Sequence, residues 1–219
     1  MPRFSVAAIA VLVSVAAATA HMVLIVPQPD GKSAFVVFSD TLEPDENVKI
    51  DKIAALKLNA RVGDKTVPVN AKLGEHKLTV EWPAATKLVY GTVTYGISGK
   101  ATPASLLVYH PKAVLTGTGE QATVGSEALV EIVPVSAAGK TRFQVLTAGK
   151  PLAGSEGTIT LPDGKKEKVT TDKDGFTKSF DVVGRYAAYF KFVETKEGEH
   201  LGVKYAEVRH YATLVVDVK

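Results

Sequence analysis

The sequence predicts an all-β protein made of two antiparallel β-sandwiches, and three features support this prediction. Short apolar runs rich in β-branched and aromatic residues recur along the whole chain after residue 20. Clusters of Gly, Pro, Asn and Asp separate these runs at regular, short intervals. After residue 20, no stretch shows a convincing 3.6-residue apolar period, so we expect few helices.

The first sandwich is predicted over residues 21–114. The segment Leu56 to Val69 alternates around the turn residues Gly63-Asp64, which is a hairpin signal. The acidic segment DTLEPDENVKIDKI has no strong period and allows a short helical turn. The remaining strands of this unit are expected at MVLIV, SAFVVFS, HKLTVEW, LVYGTVTYGI and SLLVYHPKAV.

The second sandwich is predicted over residues 128–219, after a linker at residues 115–127 that is rich in Gly, Thr and Ser. Its strands are separated by turns at LPDG and DKDG. The stretch DKDGF resembles the start of a calcium loop, but the later acidic ligands are absent. A tight turn with Gly175 at a positive φ explains it better.

Residues 1–20 have the pattern of a secretory signal peptide. Arg3 precedes an apolar segment, and Ala18 and Ala20 fit a small-x-small cleavage site. An uncleaved membrane anchor is the alternative, because the apolar character continues to Val26. With cleavage, we expect an exported protein with no membrane span. The absence of cysteine favours a bacterial periplasm over an oxidising eukaryotic exterior.

Composition also excludes several function classes. The formal net charge of +3 is spread over both halves without a basic block, so nucleic acid is not an expected partner. Thiol catalysis and thiolate metal sites are impossible without cysteine. No nucleophile elbow, phosphate-binding loop or metalloprotease motif is present, and we expect no enzymatic activity.

His21 follows the predicted cleavage site directly. As the first mature residue, it would offer its α-amine and its imidazole to one metal ion, and a second imidazole would complete a histidine brace. Nitrogen ligands in tetragonal geometry suit copper or nickel. Cleavage after Ala18 would instead begin the chain Thr19-Ala20-His21, which is a different copper or nickel chelate.

The candidates for the second imidazole are His110 and His210. His110 ends an apolar run just before Pro111. His210 shares the apolar side of its predicted strand with Val208, so a buried core histidine is an equal alternative. His76 and His200 lie in charged, turn-like segments, and a chelate through Glu197, Glu199 and His200 is a weaker possibility.

Two segments resemble known families. GKPLAGSEGTITLPDG followed by TTDKDGFTKSFDVVGRYAAYF is similar to the carboxypeptidase-regulatory, transthyretin-like sandwich, an immunoglobulin-like fold. KYAEVRHYATLVV resembles the closing strands of a bacterial exported family of unknown function that is often described as a periplasmic component of nickel or cobalt uptake transport. A Gly-His pair of that family is replaced here by Ser39 and Asp40.

The resemblance implies a periplasmic β-protein that handles a divalent transition metal and supports His21 first and His210 next. We therefore expect a nickel- or copper-binding protein, with cobalt less favoured, whose partner is a membrane metal-uptake transporter. The metal ligands predicted are His21, His110 and His210. The alternatives are a metal-free envelope or protein-interaction module and, less favoured, a copper oxidase.

Overall fold

The structure is a computed structural model that describes residues 21–98 and 104–219. The predicted signal peptide and both of its cleavage sites precede His21 and lie outside the described residues. None of the helices within the described ranges has the length and apolarity needed to cross a bilayer.

The described part of the first half forms eight strands and one short 3-10 helix, η1, at Ile50–Ile53. The strands are β1 (Met22–Pro27), β2 (Ser33–Ser39), β3 (Lys57–Val62), β4 (Lys65–Val69), β5 (Ala71–Leu73), β6 (Leu78–Glu81), β7 (Thr86–Ile97) and β8 (Ser105–Val114).

The rest of the described chain adds two 3-10 helices and nine strands. The helices are η2 (Gly119–Ala122) and η3 (Gly125–Glu127). The strands are β9 (Val130–Ala137), β10 (Lys140–Thr147), β11 (Lys150–Pro151), β12 (Glu156–Thr160), β13 (Lys166–Thr170), β14 (Gly184–Glu194), β15 (Gly198–His200), β16 (Val203–Tyr205) and β17 (Glu207–Val218).

These strands confirm the all-β sandwich architecture. An eight-stranded sheet of order β13-β12-β14-β17-β8-β7-β3-β4 forms the centre of the molecule. The four-stranded sheet β1-β2-β6-β5 covers one face of it, which we call the first face. The three-stranded sheet β11-β10-β9 covers the opposite, second face.

The central sheet is continuous because the last strand of each half pairs with the other. β8 and β17 run in parallel from the pair Ser105↔Glu207 to the pair Val114↔Val216. The sequence predicted only antiparallel pairing, and this contact differs because it joins strands that are far apart in the chain. Local turns cannot specify such a pairing.

Each of the two cores draws residues from both halves of the chain. Ala187 and Val215 of the second half lie in the core on the first face. Leu88 and Tyr90 of the first half lie in the core on the second face. The packing of the two cores therefore crosses the predicted boundary between units 21–114 and 128–219.

Several predicted turns are confirmed. Gly63, at φ 60°, and Asp64 connect β3 to β4 as a two-residue hairpin loop. Gly175 has φ 76°, and the Asp172 carboxylate accepts the N–H groups of Asp174 and Phe176. The carboxylate thus stabilises a tight turn. The helical turn allowed in the acidic connection is η1.

Part of residues 115–127, the predicted linker, packs against the core on the second face. Ala122 and Val124 are buried in the core on the second face. The guanidinium of Arg61 lies 3.8 Å from the Glu127 carboxylate, which also accepts the hydroxyl of Tyr90. Residues 115–127 are mostly polar, so the sequence did not indicate that Ala122 and Val124 would be buried.

Candidate functional site

His110 and His210 meet on the second face of the central sheet. His110 lies in β8, and His210 lies in the parallel neighbour β17, where the register pairs it with Val108. Because successive side chains of a strand point to opposite faces, both imidazoles project from the same face. His110 Nε2 lies 3.0 Å from His210 Nδ1. The structure thus brings together two of the three predicted ligands.

The outer nitrogen of each ring contacts an oxygen. His210 Nε2 lies 3.4 Å from a carboxylate oxygen of Glu194, and His110 Nδ1 lies 3.3 Å from the Thr92 hydroxyl. A carboxylate only accepts hydrogen bonds, so this network assigns the proton of His210 to Nε2. His210 Nδ1 then accepts from His110 Nε2, and Thr92 donates to His110 Nδ1.

Burial keeps both rings neutral at neutral pH. His110 is 9% exposed and His210 is 5% exposed. Desolvation, with a smaller effect of His210, lowers the pKa of His110 to about 4. Desolvation also lowers the pKa of His210, although Glu194 opposes that shift. Neutral imidazole is the form that binds metals.

A buried ion pair lies beside the histidines. Lys112 projects from the same face of β8 as His110, and its Nζ lies 2.6 Å from Glu131 Oε2 in β9. Lys112 also donates to the carbonyl of Ala122, while Glu131 accepts the N–H groups of Val124 and Gly125. Desolvation lowers the pKa of Lys112, against the attraction of Glu131. Sequence reasoning missed this pair.

A cavity of about 250 Å³ runs beside these groups, between the central sheet and residues 124–131. Its walls include His110, Thr92, Asn59 and Glu127. Thr92 and Glu127 are exposed to solvent, so the cavity offers access to the imidazole of His110.

His21 lies on the first face, away from the other two predicted ligands. It precedes β1, and its backbone carbonyl accepts a hydrogen bond of 3.4 Å from the hydroxyl of Tyr109. Tyr109 is the neighbour of His110 in β8 and points to the opposite side of the sheet. The structure therefore does not bring His21 together with His110 or His210.

A carboxylate and aromatic rings surround His21. Its Nε2 donates to Asp45 Oδ2 at 2.8 Å, and this hydrogen bond holds the pKa of Asp45 below its usual value. The ring of Phe38 lies 5.8 Å from the imidazole, between centroids, and contacts Tyr95 and Tyr109 in turn. Burial raises the pKa of Tyr109, so its hydroxyl remains a donor. Sequence reasoning missed Asp45, which lies in the irregular acidic connection.

The other histidines stand apart. His76 lies 3.6 Å from the exposed carboxylate of Glu75, and His200 lies in the β15–β16 hairpin. Within residues 21–98 and 104–219, no group of three or more His, Asp or Glu side chains is placed to hold a metal ion. Trp82 is buried, so it is not part of an exposed platform for polysaccharide.

Comparison with known proteins adds no family. No protein-family model matches the chain, and no curated protein matches it significantly.

Proposed function

We propose that this chain is an exported, non-enzymatic protein that binds nickel or copper through the N-terminus of its mature form. The ligands are the Nδ1 atom of His21 and the α-amine of the mature N-terminus, which belongs to His21 or, after cleavage at Ala18, to Thr19. The observation that carries the proposal is the hydrogen bond of 2.8 Å between His21 Nε2 and Asp45.

This hydrogen bond assigns the two ring nitrogens to different roles. Asp45 accepts a hydrogen bond from Nε2–H, so the ring proton stays on Nε2 and Nδ1 carries the lone pair. Nδ1 is also the nitrogen nearer the main chain, and with the amine of the same residue it closes a six-membered chelate ring. A carboxylate that accepts the outer N–H of a metal-bound histidine fixes the ring and raises its basicity.

The proposal holds for either cleavage site. A chain that begins at His21 supplies the amine directly. A chain that begins at Thr19 places His21 third, where its Nδ1 joins the amine and two amide nitrogens in a square-planar chelate. In both arrangements Nε2 does not bind the metal. Nε2 is the nitrogen that donates to Asp45.

The packing around His21 supports a defined chelate. The carbonyl of His21 is held by Tyr109, and β1 begins at the next residue in register with β2. The backbone of the chelating residue is therefore fixed by the fold. In a chain that begins at His21, the site has two protein nitrogens and leaves coordination positions open, which suits transfer of the ion to a membrane metal-uptake transporter in the periplasm.

Calorimetric titration of the untagged, exported protein with Cu(II) and Ni(II) tests this proposal. We expect one ion to be lost in His21→Ala and also in a chain that carries one extra residue before its natural N-terminus. His76→Ala is the matched control, because His76 is a half-exposed histidine beside a carboxylate. Unchanged titrations of His21→Ala would refute the proposal.

A metal-free protein-interaction module is the second candidate. The observation that favours it is the β15–β16 hairpin, where Leu201 is 90% exposed and Val203 is also exposed. Adjacent exposed apolar side chains are a starting point for a contact surface when they join into a larger patch. Equal behaviour of wild type and His21→Ala in every metal assay, with no ion bound by either protein, would favour this candidate.

A further inference from the structure

We propose that His110 and His210 form a second metal site, separate from His21, for a divalent transition metal that prefers imidazole. Copper, nickel and zinc have this preference. The site lies on the second face of the central sheet and depends neither on the N-terminus nor on signal cleavage.

The spacing of the two facing nitrogens fits a shared metal ion. With metal–nitrogen bonds of about 2.0–2.1 Å, two ligands lie about 2.9 Å apart at a right angle and about 3.3 Å apart at a tetrahedral angle. His110 Nε2 and His210 Nδ1 are 3.0 Å apart, within that range. The separation of the two facing nitrogens is therefore compatible with a shared metal ion.

The partners of the outer nitrogens match those of metal-bound histidines. Glu194 accepts the Nε2 proton of His210 and leaves Nδ1 with its lone pair. When a metal takes the place of the shared proton, that proton moves from His110 Nε2 to His110 Nδ1. Thr92 Oγ1 then accepts it instead of donating. Both rings stay neutral, and no proton leaves the pair.

The surroundings also supply charge and access. The carboxylate of Glu194 offsets part of the charge of a divalent ion. His110 lines the cavity of about 250 Å³, so solvent space lies beside this half of the pair. Within the described residues no group of three or more His, Asp or Glu side chains is placed to hold a metal ion, and Glu194 contacts the outer nitrogen of His210, so the ion would have the two imidazoles as its protein ligands. Such a site exchanges its ion readily.

The test uses the full mature chain in a His21→Ala background, which removes the first site. Two substitutions keep side-chain volume and a polar atom near each facing nitrogen: His110→Gln for Nε2 and His210→Asn for Nδ1. Each protein is loaded with Cu(II), Ni(II) or Zn(II), and bound ions are counted by native mass spectrometry. The Cu(II) spectrum in electron paramagnetic resonance reports the number of nitrogen ligands.

We expect the His21→Ala protein to retain one ion, and either further substitution to remove it. Glu194→Gln keeps both ligands and should weaken binding about 10- to 100-fold. A His21→Ala protein that binds no ion, or an ion that survives both His110→Gln and His210→Asn, would overturn this site. If wild type binds one ion and His21→Ala binds none, the first site is supported and the second is refuted.

Discussion

The ammonium of Lys112 and the carboxylate of Glu131 form an ion pair inside the protein, with 2.6 Å between Nζ and Oε2. Lys112 is 2% exposed and Glu131 is 3% exposed. The backbone of residues 122–125 supplies the remaining hydrogen bonds. The pair therefore fastens the segment between the two halves to β8 and β9.

Removing one charge of this pair should destabilise the protein strongly. Glu131→Gln leaves the ammonium of Lys112 buried without its counter-charge, and loss of one partner of a buried pair typically costs about 3–5 kcal/mol. Urea unfolding measures the change. Asp217→Asn is the control, because the pair of Asp217 with Arg185 is partly exposed and should contribute less than about 1 kcal/mol. Equal losses in the two variants would contradict the prediction.

The stability of the metal-free protein should fall as the pH drops from about 6.5 to about 4. Burial lowers the folded-state pKa of His110 to about 4, whereas an unperturbed histidine titrates near 6.5. Within that window the unfolded chain binds more protons than the folded chain, so acid favours unfolding. The shift corresponds to a free energy on the order of 3 kcal/mol. His210, whose pKa is also lowered, acts in the same direction.

Urea unfolding in EDTA at several pH values measures this effect. Carboxylates also lose stabilising contacts in acid, so the informative quantity is the difference between wild type and His110→Gln. The stability of wild type relative to His110→Gln should fall as the pH drops through this window and stay constant below it. A difference that does not change with pH would show that the folded protein does not depress the pKa of His110.

Asp45→Asn should weaken metal binding at His21 about 10-fold or more. An amide is a weaker hydrogen-bond acceptor than a carboxylate and lowers the basicity of the ring it orients. The fold should be little affected, because Asp45 lies in a partly exposed connection. Titration with Cu(II) measures the affinity, and Glu46→Gln, an exposed neighbour, is the control. Equal affinities in the two variants would remove Asp45 from the site.

The two halves should unfold in one transition. Ala187 and Val215 complete the core of the first half, while Leu88 and Tyr90 contribute to that of the second. Trp82 is the only tryptophan, so its fluorescence reports the first half, and far-ultraviolet circular dichroism reports all strands. Coincident urea transitions are expected. Fluorescence and dichroism curves with different midpoints would show that the halves are independent.

The sequence predicted local features well. β2 and β8 coincide with the apolar runs SAFVVFS and SLLVYHPKAV because alternation and flanking turns are properties of short segments. The burial of His210 was expected because it lies two residues from Val208 and therefore on the same, apolar face of the strand. The position of Lys112 gave a similar indication, since it lies two residues from His110 on the same face of an apolar strand. Its partner Glu131 was not evident.

Long-range relations were beyond the sequence. His110 and His210 are 100 residues apart, and their contact depends on the parallel pairing of β8 with β17. Successive side chains of β8 point to opposite faces, so His110 projects from the second face and Tyr109 from the first. His21, which contacts Tyr109, therefore lies on the first face. Asp45 reaches His21 from an irregular connection whose path no periodicity describes.

Native mass spectrometry of the exported, untagged protein with equimolar Ni(II) and Cu(II) tests the central claim most directly. The intact mass fixes the first residue, and the added mass identifies the metal. We predict a chain that begins at His21 or Thr19 and binds one more ion than His21→Ala does. A wild-type protein that carries no ion with either N-terminus would contradict metal binding and favour the interaction module.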